Sequence, residues 1–209
     1  MTITNGYCTL EQLNVELGVG AGVGSQTTKL ELAINAASRQ IDNHTGRRFW
    51  QDASVKTRVY FADDPFTVYT DDISTLTGLI VKVDSADAGD FPSTLTITTN
   101  FIMLPANAED EVPARPYNQI RVVDAGVSAF TRSGSGRPGV QVIAKFGWAA
   151  VPDDVTRACL IQATQLYKAS DAVFGGLQLG IDGSILRVRS SLNPIAEALL
   201  EGYCRPRVA

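Results

Sequence analysis

The sequence predicts an α+β protein, in which an antiparallel β subdomain is inserted into a small helical bundle of two long helices plus short N- and C-terminal helices. Three observations predict this fold class. Apolar residues recur at helical spacing over residues 27–45 and again over 153–172. Between them, residues 55–148 are rich in β-branched and aromatic residues that alternate with polar ones. We therefore divide the chain into 1–54 and 149–209, which form the helical core, and the β-rich insertion 55–148.

The N-terminal part contains two predicted helices. Thr9 and Gln12 have the spacing of a capping box at the start of a short helix, which Gly18 ends. The first long helix is predicted over residues 27–45, with Gly46 as its stop. Its apolar stripe comprises Leu30, Ala33, Ile34, Ala37 and Ile41.

The middle of the chain contains five strand-like runs separated by Asp, Gly and Pro clusters. These connections are too short for crossover helices, so the strands are predicted to be mostly antiparallel. The runs are Val55–Phe61, Gly78–Val83, Thr94–Met103, Gln119–Val123 and Val140–Phe146.

The helical period returns after Pro152. Asp153 and Asp154 suit the first turn of the second long helix, which should pair with the first. A glycine-bearing arm, Gly175–Ser191, follows it, and Asn193-Pro194 is typical of the start of a last short helix.

Charge and composition limit the possible partners. The chain has 18 basic and 22 acidic residues and a net charge of −4, and residues 59–130 alone carry −8. This balance argues against a protein that binds nucleic acid tightly through its phosphates.

Arg47-Arg48-Phe49-Trp50 mixes basic and aromatic residues, and we expect it to dock on other helices or on a neighbouring subunit. The low charged fraction, 19%, indicates surface buried against other subunits.

The sequence contains only weak matches to nucleotide-binding, catalytic and metal-binding motifs. Gly134–Gly139 matches G-x-G-x-x-G, but a strand-like run follows it where a dinucleotide site needs a helix, so a mobile hairpin loop is predicted. His44 is expected to be structural, and Asp63-Asp64 and Asp71-Asp72 are expected to lie in turns. We predict no catalytic residue, no metal site and no cofactor. The alternative is a small hydrolase acting on cell wall or nucleic acid.

The three cysteines, Cys8, Cys159 and Cys204, are widely spaced and predict free thiols in a reducing compartment. The opening residues lack the pattern of a signal peptide, and no stretch is apolar enough for a membrane span. We therefore expect synthesis in the cytoplasm and no membrane partner.

Four segments of the chain carry a resemblance to a known family: Tyr7–Leu13, Ala36–Phe49, Phe146–Ala158 and Asn193–Pro206. Together they resemble the head–tail connector (adaptor) proteins in the neck of long-tailed bacteriophages. The resemblance covers roughly half of the chain and is weak over residues 55–138.

The resemblance implies a structural virion protein. Family members form a ring, usually a dodecamer, that joins the portal protein to the stopper or another tail-side neck protein. Phage DNA passes through the lumen without specific binding. The protein is then made in the host cytoplasm and located at the head–tail interface. The alternative within the neck is a stopper or tail terminator, although those proteins are chiefly β-barrels without long helices.

Two contact surfaces follow as hypotheses. The C-terminal tail is expected to bind the portal through Tyr203, Arg205, Pro206, Arg207 and Val208. The arm is expected to contact a neighbouring subunit or the stopper through its apolar residues, which are Phe174, Leu177, Leu179, Ile181, Ile185 and Leu186. The acidic region 59–130 is expected on the outside of the ring, because on a lumen wall it would repel DNA.

Overall fold

The computed structural model of the protein describes residues 2–20, 25–62, 64–123, 130, 136–170, 176–178, 185–187 and 191–205. The chain forms two compact units. The helical unit comprises Met1–Phe49 and Val151–Ala209, and the β unit comprises Trp50–Ala150. The α+β class predicted from the sequence is confirmed.

The first helix, α1 (Leu10–Leu17), begins at the predicted capping box. The Thr9 side-chain oxygen accepts a hydrogen bond from the Gln12 amide at 3.1 Å, and the Gln12 side chain accepts one from the Thr9 amide at 2.8 Å. Gly18 ends the helix in the left-handed conformation, with φ +66°. The cap is therefore local and readable from the sequence.

The two long helices are α2 (Ser25–Thr45) and α3 (Asp153–Ser170). They pack against each other, and α1 packs on both, so the predicted pairing is confirmed. The apolar stripe of α2 is buried against a matching stripe of α3 that includes Val155, Cys159 and Ala163. Burial of this apolar surface is what holds the pair together.

The last helix, α4 (Pro194–Leu200), packs on α3 and continues into a short 3₁₀ turn, Glu201–Tyr203. Asn193 caps α4 by accepting a hydrogen bond from the Ile195 amide at 2.9 Å. The Asn193 amide in turn donates to Gln162 Oε1 at 2.8 Å, and Gln162 is fully buried. This bond fixes the start of α4 on α3. Among the described residues, every helix is too short or too polar to cross a bilayer.

The β unit contains two antiparallel sheets whose inner faces form one apolar core. The strands are β1 (Lys56–Tyr60), β2 (Thr67–Ile73), β3 (Ile80–Val83), β4 (Ser93–Leu95), β5 (Phe101–Leu104), β6 (Tyr117–Val122) and β7 (Val140–Ala144). One sheet has the order β1-β7-β3-β4, and the other has the order β2-β6-β5.

Two sequence-based expectations in this region are wrong. Thr94–Met103 is not one strand, because a turn divides it between β4 and β5, which belong to different sheets. In that turn Thr98 has φ +66° and its amide donates to Phe101 O at 2.7 Å. Asp71 and Asp72 do not lie in a turn but in β2, which the sequence did not predict.

The arm that follows α3 is described at two short strands. β8 (Gly176–Gln178) and β9 (Ile185–Arg187) pair antiparallel, with Leu177 opposite Leu186. Apart from Ser191, the rest of the predicted arm Gly175–Ser191 lies outside the described residues.

Gly147 occupies a position in the β unit that no other residue fits. Its φ is +105°, and a Cβ atom there would lie 1.8 Å from the Trp50 carbonyl oxygen and 3.2 Å from Gln51 Cα. Its amide also donates to Asp72 O at 2.7 Å. The end of the β unit therefore runs directly beside its beginning.

We expect Gly147→Ala to lower the free energy of unfolding of the β unit by more than about 3 kcal/mol, because it adds a backbone clash to the cost of a positive φ. Gly136→Ala is the matched control. Gly136 also has a positive φ, +76°, but a Cβ atom there meets no atom of the described residues within 4 Å. The control should cost about 1–2 kcal/mol, the conformational penalty alone. Equal losses in urea unfolding of the two variants would contradict the close approach of Gly147 to Trp50.

Candidate docking surface of the helical unit

The C-terminal segment is anchored to its own helical unit as far as Arg205. The Tyr203 ring packs edge-on against Phe49, with ring centroids 5.7 Å apart, and its hydroxyl donates to Asp154 at 3.1 Å. The Arg205 amide donates to the Thr45 carbonyl at the end of α2, at 2.9 Å. Arg205 is therefore held beside the C-terminal end of α2.

Phe49 lies at the centre of an aromatic cluster, which we define as Tyr7, Phe49 and Tyr203. Phe49 is fully buried, and the Tyr7 ring meets it edge-on at a centroid distance of 5.6 Å. Edge-to-face packing of this kind contributes beyond the area that it buries. The cluster joins the N-terminal segment, the end of α2 and the C-terminal turn.

A polar network surrounds Tyr7. Its hydroxyl donates to Asp42 Oδ1 and accepts a hydrogen bond from the Phe49 amide at 3.0 Å. Arg39 Nε lies 2.9 Å from Asp42 Oδ2. Burial raises the pKa of Asp42, and burial together with the bond to Asp42 raises the pKa of Tyr7. Tyr7 therefore remains a protonated donor, and the network positions the aromatic cluster.

The structure describes only part of the two predicted contact surfaces. Tyr203 and Arg205 lie together beside the end of α2, whereas Pro206, Arg207 and Val208 lie outside the described residues. Within the arm, Leu177 lies in β8, and Ile185 and Leu186 lie in β9. The remaining arm residues, Phe174, Leu179 and Ile181, are outside the described part of the chain.

A groove on the α2–α3 pair was not predicted from the sequence. It has a volume of about 230 Å³ and is almost entirely apolar. Leu32, 45% exposed, lies in its wall, and the Tyr167 hydroxyl at its edge accepts a hydrogen bond from Gln26 Nε2 at 3.2 Å. The only signal in the sequence is a second apolar column, Leu32 and Ala36, beside the buried stripe of α2. The lining residues are Lys29, Leu32, Ala33, Ala36, Leu166 and Tyr167.

The structure shows the positions of those parts of the predicted nucleic-acid, nucleotide and metal motifs that lie in its described residues. Phe49 is buried in the aromatic cluster, so it offers no ring face for stacking on a base. The described end of the glycine motif, Gly136–Gly139, leads into strand β7, and Gly134 and Ser135 lie outside the described residues. Within the described ranges, no group of three His, Cys, Asp or Glu side chains could hold a metal ion.

The sequence matches no protein-family model, and no curated protein was found to match it. The fold, however, is similar to chains in two solved structures. One is described as the neck of an empty GTA particle computed with C6 symmetry; the TM-score is 0.53 at 17% identity, over 100% of this chain and 95% of the other. The second is described as the neck of a native GTA particle computed with C12 symmetry; the TM-score is 0.52 at 17% identity, over 100% and 94% of the two chains. At this identity the likeness concerns the fold.

We expect Tyr7→Phe to lower the free energy of unfolding by about 2 kcal/mol, because removing the hydroxyl takes away a hydrogen-bond partner of the buried Phe49 amide and one of the two partners of Asp42, which keeps Arg39. The measurement is urea unfolding followed by far-ultraviolet circular dichroism. Tyr69→Phe is the control, since the Tyr69 side chain is 61% exposed, and it should change stability by less than about 0.5 kcal/mol. A Tyr7→Phe variant as stable as this control would show that the network does not hold the cluster.

Proposed function

We propose that this chain is a structural subunit of the neck of a tailed phage-like particle, and that it is the adaptor whose ring joins the portal to the stopper or tail and lets DNA pass. The observation that carries the proposal is the full-length similarity of its fold to chains of two neck structures. The resemblance of Tyr7–Leu13, Ala36–Phe49 and the later helical segments to adaptor proteins supports it independently. In this role the chain is not an enzyme and needs no cofactor.

The proposed assembly is a ring of twelve copies in the virion neck. One similar neck structure was computed with C12 symmetry, which fits this number. A closed ring needs two different surfaces on each subunit, and the low charged fraction of the sequence, 19%, suits surfaces buried against neighbours.

The distribution of charge suits passage of DNA. Residues 1–49 and 151–209, which form the helical unit, carry ten basic and ten acidic residues. Residues 50–150, which form the β unit, carry eight basic and twelve acidic residues. A neutral wall neither grips nor repels phosphates. An acidic wall would repel DNA, and we therefore place the acidic region 59–130 on the outside of the ring.

The proposed portal contact is the C-terminal tail. Tyr203 and Arg205 hold the chain against the end of α2, which gives the last four residues a fixed starting point and reduces the entropy lost on binding. Pro206 disfavours continuation of a helix, and we expect Arg205 and Arg207 to share one side if the segment is extended on the portal. Each guanidinium can then bind a carboxylate of the portal bidentately. The proposed contact residues are Tyr203, Arg205, Pro206, Arg207 and Val208.

The proposed contact between neighbouring subunits, or with the stopper, is the arm. Phe174 directly precedes this glycine-bearing segment and five leucine and isoleucine residues lie within it, more than a solvated loop needs. We assign the apolar groove of the α2–α3 pair as the surface that receives the arm of the next copy, because five of its six lining residues are alanine, leucine or tyrosine and the sixth is Lys29. The arm residues concerned are Phe174, Leu177, Leu179, Ile181, Ile185 and Leu186.

A second candidate is another neck protein, a stopper or tail terminator, since both similar structures are described only as necks. The two long helices favour the adaptor, because those other proteins are chiefly β-barrels. Binding of the purified chain to isolated portal rings distinguishes the candidates.

Imaging the assembled ring tests the proposed function. We expect image classes of the particle neck to contain a twelve-fold ring of this chain directly below the portal, with Asp64 and Glu109 facing away from the channel. Both side chains are exposed on the β unit. A reconstruction that places the chain elsewhere in the particle would overturn the assignment, and one in which Asp64 and Glu109 line the channel would overturn the proposed orientation.

Truncation after Arg205 tests the portal contact. The cut retains the Arg205–Thr45 hydrogen bond and removes only the last four residues, so we expect an unchanged melting temperature. The truncated protein should nevertheless fail to join portal-bearing heads, and tails should not attach.

Two controls accompany the truncation. A variant in which an equally long Gly/Ser tail replaces residues 206–209 should also fail to attach. This result would show that attachment needs the side chains of the tail and not merely its length. Arg115→Ala, which removes one positive charge from an exposed ion pair with Glu111, should attach normally. Normal attachment of the truncated chain would show that the portal contact lies elsewhere.

A further inference from the structure

Two buried thiols meet inside the helical unit, far from the tail and arm residues in the sequence. Cys8 Sγ and Cys159 Sγ are 3.3 Å apart, and Ser38 Oγ lies 3.5 Å from Cys159 Sγ. Cys8 is 5% exposed and Cys159 is fully buried. The first belongs to the segment that precedes α1, and the second lies in the middle of α3. The proposed ring contacts do not use either thiol.

The backbone on both sides of Cys8 is fixed. The Tyr7 amide donates to Ser38 Oγ at 3.1 Å, and Thr9 is held by the capping box of α1. Ser38 itself donates to the Ile34 carbonyl at 2.8 Å, so its oxygen stands on a rigid turn of α2. The Cys8 side chain is therefore held against α3 rather than meeting Cys159 by chance rotation.

The distance between the sulfurs is close to what a covalent bond needs. A disulfide has its sulfurs about 2.05 Å apart, so the two atoms need to approach by little more than about 1 Å, which side-chain rotation can supply. The hydrogen bond to Cys159 and burial also raise the pKa of Cys8, which keeps Cys8 as a thiol while the site is closed.

We propose that Cys8 and Cys159 form a latent disulfide site, which a peroxide oxidises to a covalent link between the N-terminal segment and α3. The Cys8 sulfur attacks one peroxide oxygen, the O–O bond breaks, and a sulfenic acid and water form. The Cys159 sulfur then attacks the sulfenic sulfur, the S–S bond forms, and the second oxygen leaves as water. Two thiols and one hydrogen peroxide thus give one disulfide and two waters.

Cys8 is the first sulfur to react because the short segment before α1 can open locally by breaking the hydrogen bond between the Tyr7 amide and Ser38, without unfolding α3. The link then closes a loop that contains α1, α2 and the entire β unit. Such a long loop restricts the unfolded chain strongly, and we expect the melting temperature to rise by about 5–10 °C.

The test is mild oxidation of the folded, full-length chain with hydrogen peroxide. In the Cys204→Ser chain, we expect two thiols fewer to be titrated in denaturant, with loss of two hydrogen atoms from the intact mass and no dimer. Non-reducing peptide mapping should recover the Cys8 peptide joined to the Cys159 peptide, and dithiothreitol should reverse both the link and the rise in melting temperature.

Variants separate this site from the remaining cysteine. Cys204→Ser should still form the link, whereas Cys8→Ser should form none. If Cys8→Ser folds poorly, peptide mapping of the unsubstituted chain still shows whether Cys8 and Cys159 are linked. The proposal is overturned if Cys8 and Cys159 stay reduced after Cys204 is consumed, if each is oxidised separately to a sulfinic acid, or if they join only when the chain is denatured. These readouts need no ring and no portal, so they are independent of the proposed function.

Discussion

The helical unit depends on the burial of one side chain, Phe49. The residue follows α2 at the point where the chain leaves the helical unit, and the whole β unit separates it from α3. Tyr7 from the N-terminal segment and Tyr203 from the C-terminal turn both pack on its ring. Closing so long an intervening loop costs entropy, which only contacts between distant segments can offset. The aromatic cluster supplies such contacts at one end of the α2–α3 pair, and the apolar stripes supply them along its length.

Features that depend on neighbours in the sequence were predictable. The capping box at Thr9, the stop at Gly18 and the cap at Asn193 are each decided by residues within a few positions, and all three are present. The α2–α3 pairing was also predictable, because a helix with one apolar stripe must bury it. Strand β2 was not predictable from the sequence, because two consecutive aspartates are typical of a turn unless their partners are known. Asp71 pairs with Arg58, and Asp72 accepts a hydrogen bond from Trp148 Nε1 at 3.1 Å.

The same difference between local contacts and contacts between distant segments explains why the sequence predicted the candidate docking surface only in part. The sequence indicated the basic tail, but it gave no sign that Tyr203 packs on Phe49, because the two residues meet only after the helices have paired. The groove of the α2–α3 pair is likewise formed by two helices, and neither alone predicts it. Contacts within one segment can thus be derived from spacing, whereas contacts between segments need the fold.

The ends of the β unit explain how a large insertion can stand between paired helices. The Asp52 amide donates to the Phe146 carbonyl at 2.8 Å, and the Ser74 amide donates to Lys145 O at 3.0 Å. Together with Gly147, which lies against the Trp50 carbonyl, these bonds bring the first and last residues of the unit side by side. An insertion whose ends are adjacent can be added to a connection without separating the elements that it joins. The closure at Gly147 and Asp72 therefore constrains the sequence of the β unit at the place where its two ends meet.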